Sequence, residues 1–124
     1  MNLRSIDADA LLFLHQENLG SSDPENLKCD RSLLNAALAY PVVLAENDGV
    51  DVAALAAAYA FGMLKYRPFA KNNHSAAFLA MGLFLYLNDW RLSATQDDAI
   101  GFMQRMATGD EDEASLANWV RANL

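Results

Sequence analysis

Two almost wholly apolar stretches, residues 52–64 and 76–87, stand on either side of one short polar turn, and this pairing constrains the fold most. Each is shorter than the roughly 20 residues that a membrane-spanning helix needs. Neither alternates apolar and polar positions as a half-buried strand would. Both therefore read as buried helices of a globular core. Between them lies a positively charged turn running from Arg67 to His74, which the second helix holds at its N-terminus. That end of a helix carries unpaired N–H groups and the positive pole of the macrodipole, so it favours anions. Arg67, Lys71, Asn72, Asn73, His74 and Ser75 are accordingly the candidate anion- or nucleotide-binding residues, with Pro68 and Phe69 as loop anchors.

The rest of the chain reads as helical punctuation. The first helix covers about 7–19, with Leu11, Leu14 and His15 at helical spacing, and stops at residues 20–24. His15 is expected to be a half-buried structural histidine. Asp30 caps a second helix that ends at Ala39, because the residue before Pro41 avoids the α region. Asn47-Asp-Gly49 makes a turn, and Asp51 caps a third helix over 52–66. The fourth runs over 73–87 and Asn88-Asp89 closes it. Thr95 and Asp98 form a capping-box pattern that opens the fifth, in which Ile100, Met103 and Met106 make a stripe before Gly109. The sixth covers 113–122 and buries Leu116, Trp119 and Val120. The expected fold is an all-α bundle of about six helices, with the 73–87 helix at its centre. The β-prone runs are residues 42–44 and, more weakly, 90–92.

With 124 residues the chain makes one domain, and 53% hydrophobic residues against 20% charged ones exclude a disordered chain. The net charge of −7 argues against broad nucleic-acid binding, which needs a basic face. Much of the acid is local, at Asp97-Asp98 and Asp110-Glu-Asp-Glu113, and reads as helix starts and a solvated turn. The single cysteine, Cys29, permits no internal disulfide, and no Cys/His spacing suggests zinc. Residues 1–5 lack the apolar region of a signal peptide. A cytoplasmic protein with no membrane association is expected.

The turn and its surroundings resemble the Fic/Doc (Fido) superfamily, whose loop reads His-Pro-Phe-x-Asp-Gly-Asn-Lys-Arg. Pro68, Phe69 and Asn73 match that motif. Arg67 replaces the histidine, Lys71 the acid, Asn72 the glycine, His74 the lysine and Ser75 the arginine. Ser32-Leu-Leu-Asn-Ala-Ala-Leu-Ala-Tyr-Pro41 resembles the Doc-branch run Leu-x-Ser-Ala-x-x-x-Pro. Ala54-Leu-Ala-Ala-Ala-Tyr-Ala-Phe-Gly62 and Phe84-Leu-Tyr-Leu-Asn88 resemble the helices around the motif. The likeness covers about residues 3–122 and points to the Doc (death-on-curing) toxin branch.

The resemblance implies transfer of a phosphoryl or nucleotidyl group from ATP, or another nucleoside triphosphate, to a Ser/Thr hydroxyl of a translation-machinery protein. It also implies an antitoxin-like partner segment held in a groove. In relatives the segment equivalent to 41–50 is a flap on which a target lies as an added strand, so Val42, Val43 and Leu44 are the candidate flap. The motif histidine acts as general base in active relatives. A base must shed its charge near neutral pH, and arginine, with a pKa above about 12, stays protonated. Lys71 stands where a carboxylate helps to hold magnesium, so the metal is not expected at this loop. Ser75 lacks the bidentate fork of the lost arginine. His74 is the one candidate for a displaced base. Ser21-Ser-Asp-Pro-Glu25-Asn26 fits an inhibitory Ser/Thr-x-x-x-Glu-Gly/Asn pattern but reads as chance similarity, since Pro24 breaks any helix there.

Three functions stay open on the residues alone. The leading one is an inactive or much weakened transferase relative that keeps an anion pocket or a partner groove. The others are an active transferase with altered catalytic residues, and a non-enzymatic module that binds an antitoxin-like protein.

Overall fold

A computed structural model describes residues 3–19 and 28–124. Among them the chain is all-helical, with six helices and no strand. These are α1 (Ala8–Leu19), α2 (Arg31–Leu44), α3 (Val52–Tyr66), α4 (Asn73–Leu87), α5 (Gln96–Ala107) and α6 (Glu113–Ala122). The stop at residues 20–24 and the Ser21-to-Asn26 pattern lie outside the described residues. Among the described residues no helix is long and apolar enough to cross a membrane.

Polar side chains start most of these helices. Asp7 accepts from the Ala10 N–H, Asp30 from Leu33, Asp51 from Ala54, Thr95 from Asp98 and Asp112 from Ser115. Each such cap satisfies an orphan donor and contributes about 1 kcal/mol. Asp51 is held further by Arg121 of α6, whose Nε and Nη2 donate to its two oxygens at 2.7 and 2.9 Å.

The hub of the bundle is α3, not the expected α4. Ala53, Ala56, Ala57, Ala58 and Ala60 are fully buried, so α3 presents small side chains on several faces. Neighbouring helices can approach a poly-alanine surface closely from more than one direction. Helix α3 accordingly packs against α2, α4, α5 and α6, whereas α4 packs against α1, α3 and α5 and leaves Tyr86 exposed. The stripe on α5 is centred on Ala99, Phe102 and Met103, and Leu116 and Val120 of α6 complete that side of the core. Trp119 is only partly buried there, stacked 5.5 Å from the Phe102 ring.

Helix α2 does not end at Ala39. It runs through Pro41 to Leu44, and the Ala45 N–H closes it by donating to the Pro41 carbonyl at 2.9 Å. Val42, Val43 and Leu44 are therefore helical, so the expected flap is absent as a strand. The local bias against an α conformation before proline costs less than burial returns, because Pro41 itself is fully buried. Residues 90–92 likewise form no strand.

Both ends of α4 are tied by an asparagine. At its C-terminal end, Asn88 accepts from the Arg4 N–H and donates to the Arg4 and Phe84 carbonyls. That clamp, with Ile6 N–H donating to the Tyr59 hydroxyl at 3.3 Å, docks the extended stretch ahead of α1. The N-terminal clamp belongs to the loop.

Candidate functional site: the loop between α3 and α4

Helix α3 ends at Tyr66, and the chain leaves it through Arg67 in the left-handed region, φ 48°. The Arg67 N–H donates to the Met63 carbonyl at 3.0 Å, a left-handed helix stop made without glycine. Pro68 and Phe69 then turn inward and are buried, while Arg67, Ala70, Lys71 and Asn72 face solvent. Asn72 is also left-handed, φ 66°, a conformation that asparagine tolerates better than most residues.

Three sets of bonds hold the loop. The Asn73 side chain is buried, 3% exposed; its Oδ1 accepts from the Phe69 N–H at 3.1 Å and its Nδ2 donates to the Phe69 carbonyl at 2.8 Å. On the other side, the Asp30 N–H donates to the Pro68 carbonyl at 2.8 Å and the Ala70 N–H to the Lys28 carbonyl at 3.1 Å. Residues 28–30 and 68–70 thus form a short antiparallel bridge in which Cys29 faces Phe69. These bonds flank the Cys29–Phe69 pair instead of joining it, so the two side chains leave the same face close together. Finally, the Phe69 ring stacks on His15 of α1, with 4.3 Å between centroids.

The candidate anion residues divide on this frame. Arg67 and Lys71 are exposed, and among the described residues no ion pair engages either. Asn72 precedes α4 but makes no side-chain cap bond, so the first N–H groups of that helix lack the cap found at the other helix starts. His74 and Ser75 sit half-buried in the first turn. Asn73 is set apart, because its amide is engaged by the Phe69 backbone. Beside the loop runs a shallow groove of about 420 Å³, lined by Lys28, Cys29, Asp30 and residues 67–70. Its carboxylate, Asp30, is the α2 cap. No group of three or more His, Cys, Asp or Glu among the described residues could hold a metal ion.

Two features of the loop are not visible in the local sequence. The partnership of residues 28–30 with 68–70 joins segments about 40 positions apart and carries no periodic signal. His15 is not half-buried but fully so, 1% exposed, and among the described residues neither ring nitrogen has a hydrogen-bond partner. Burial lowers its pKa from 6.5, which keeps the ring neutral at pH 7. Its i, i+4 spacing from Leu11, also fully buried, is the signal that places it on the inner face.

No family model matches this chain, and none of the curated proteins matches it.

Proposed function

We propose that this protein is a Fic/Doc-type domain of toxin–antitoxin ancestry that binds a phosphate-bearing ligand, ATP or another nucleoside triphosphate, at residues 67–75 and transfers it poorly or not at all. The observation that carries this reading is the start of α4 without a side-chain cap, beside which Arg67 and Lys71 stand exposed with no ion pair among the described residues. Three of its elements attract a phosphate: the helix N-terminus with roughly half a positive charge, a guanidinium and an ammonium. Transfer asks for more. A base at position 67 must accept a proton, and arginine stays charged. Asn73, the amide of the loop, is bonded to the Phe69 backbone.

The test is calorimetric titration with ATP, with and without magnesium, alongside a transfer assay on cell lysate. Binding that needs no magnesium and weakens about tenfold in Lys71→Glu, with labelling near background, is the expected result. A module that only holds a protein partner would show no nucleotide binding. Strong labelling by the unaltered protein, lost in His74→Ala, would make His74 the base and the protein an active transferase.

A further inference from the structure

A groove of about 420 Å³ runs between the C-terminal half of α3 and the turn that joins α5 to α6. Each of its lining residues is at least partly exposed. The floor is apolar, made by Phe61 and Leu64 of α3 and Met106 of α5. Leu64 and Met106 pack on the core from one side, whereas Phe61 leans on the Tyr40 ring, 5.8 Å between centroids. The rim is acidic. Asp112 caps α6, and Glu113 accepts from the Tyr40 hydroxyl with both oxygens, at 2.7 and 2.9 Å. Glu111 completes the rim, and among the described residues no hydrogen bond or ion pair engages its carboxylate. Opposite these acids, the Lys65 ammonium lies over the Phe61 and Tyr66 rings, 5.9 and 5.4 Å from their centroids. A cation thus already rests on the aromatic wall of the groove.

We propose that this groove docks a segment of another protein that presents an apolar side chain beside an arginine or lysine. The choice of partner rests on charge complementarity. Three carboxylates line the groove against one ammonium, on a chain whose net charge is −7. Nucleic acids and anionic membranes are repelled from such a surface, and a cationic segment is drawn to it. Charge alone does not account for the floor. Phe61, Leu64 and Met106 keep apolar surface in contact with water, and covering it with an aliphatic side chain stabilises a complex. The cation of the partner meets Glu111, whose oxygens are free, and a guanidinium fits it best, since it bonds a carboxylate with two N–H groups and stacks on a ring. Glu113 is held in place by Tyr40 and keeps lone pairs for a second cation.

The probe is a capped peptide of about ten residues, arginine and leucine at helical spacing, titrated into the intact protein at about 0.15 M salt. Calorimetry and amide NMR follow it. Saturable one-to-one binding is expected, with the resonances of Phe61, Met106 and Glu111 shifting most. A peptide with serine in place of leucine should bind about tenfold more weakly. Glu111→Lys should weaken the leucine peptide about tenfold. Asp97→Lys makes the same change of charge in the first turn of α5, at the far end of that helix from Met106, and should leave binding unaltered. Absence of saturable binding would overturn the proposal, as would equal binding of the serine peptide. So would a Glu111→Lys variant that binds as the parent does, or an equal loss in Asp97→Lys, which would reduce the attraction to net charge. Self-association of the unaltered protein that Glu111→Lys abolishes would give the groove to a second copy of this chain and refute it equally. None of these outcomes depends on whether the 67–75 loop binds phosphate.

Discussion

The carbonyl oxygen of Ala37 stands 2.8 Å from the point that a β-carbon on Gly62 would occupy. In a regular helix that carbonyl would accept from the N–H four residues later, but position 41 is proline and has none. The Ala37 carbonyl therefore lacks its usual donor at position 41, and α3 meets it with its one residue lacking a side chain.

Gly62→Ala should destabilise the fold by about 1–3 kcal/mol, because backbone rather than a movable side-chain end must yield. Gly82, in the interior of α4, has nothing within 4 Å of a built β-carbon. Gly82→Ala should stabilise by about 0.5–1 kcal/mol through helix propensity alone. Urea unfolding of the pair gives opposite shifts in midpoint; two shifts of one sign would refute the crossing geometry.

Asn73→Ala should cost about 2–4 kcal/mol, since it leaves both the N–H and the carbonyl of Phe69 without their partner in a buried loop. Asn73→Asp retains an acceptor for the Phe69 N–H but buries a charge and loses the donor, so it should rescue little. A thermal melt checks both. An unchanged melting temperature in either variant would show that the loop does not rely on this clamp.

Asp51 bonds Arg121 and the Ala54 N–H, and the Arg121 bond is the largest cause holding its pKa down at about 2. A depressed carboxylate contributes stability that is present above the ordinary range near 4 and lost as pH falls toward 2. The side chains are 47% and 46% exposed, so solvent screening limits the ion pair to about 0.5–1 kcal/mol. Asp51→Asn should lose that small acid-dependent part and keep the helix cap. NMR titration of the carboxyl carbon checks the pKa directly.

His15 gives a second pH window of opposite chemical origin. Its folded pKa lies below 6.5, so the unfolded chain binds the extra proton first and stability falls as pH drops below about 6.5. His15→Phe should remove that slope and raise the melting temperature at pH 5.5, because two unpaired buried nitrogens are replaced by an apolar ring on Phe69. Melts at pH 7.5 and 5.5 test it; a variant with the same pH slope as the parent would show that His15 is not the titrating group.

The helical bundle was legible in the chain because its signals are local. Asp30, Asp51 and Thr95 announce helix starts through hydrogen bonds that span three residues, and the runs at 52–64 and 76–87 reveal burial by composition. The positive turn from Arg67 to His74 was legible for the same reason. What decided the remainder is the meeting of distant residues. A local rule stops α2 before Pro41, yet the burial of Pro41 goes with a helix that runs on to Leu44. Pattern alone made α4 the centre, yet the small side chains of α3 let four helices close on it. The loop owes its shape to Asn73 and to residues 28–30, and His15 owes its burial to Phe69. Sequence determines propensity and capping over one or two helical turns; desolvation and close approach depend on which surfaces the whole chain brings together.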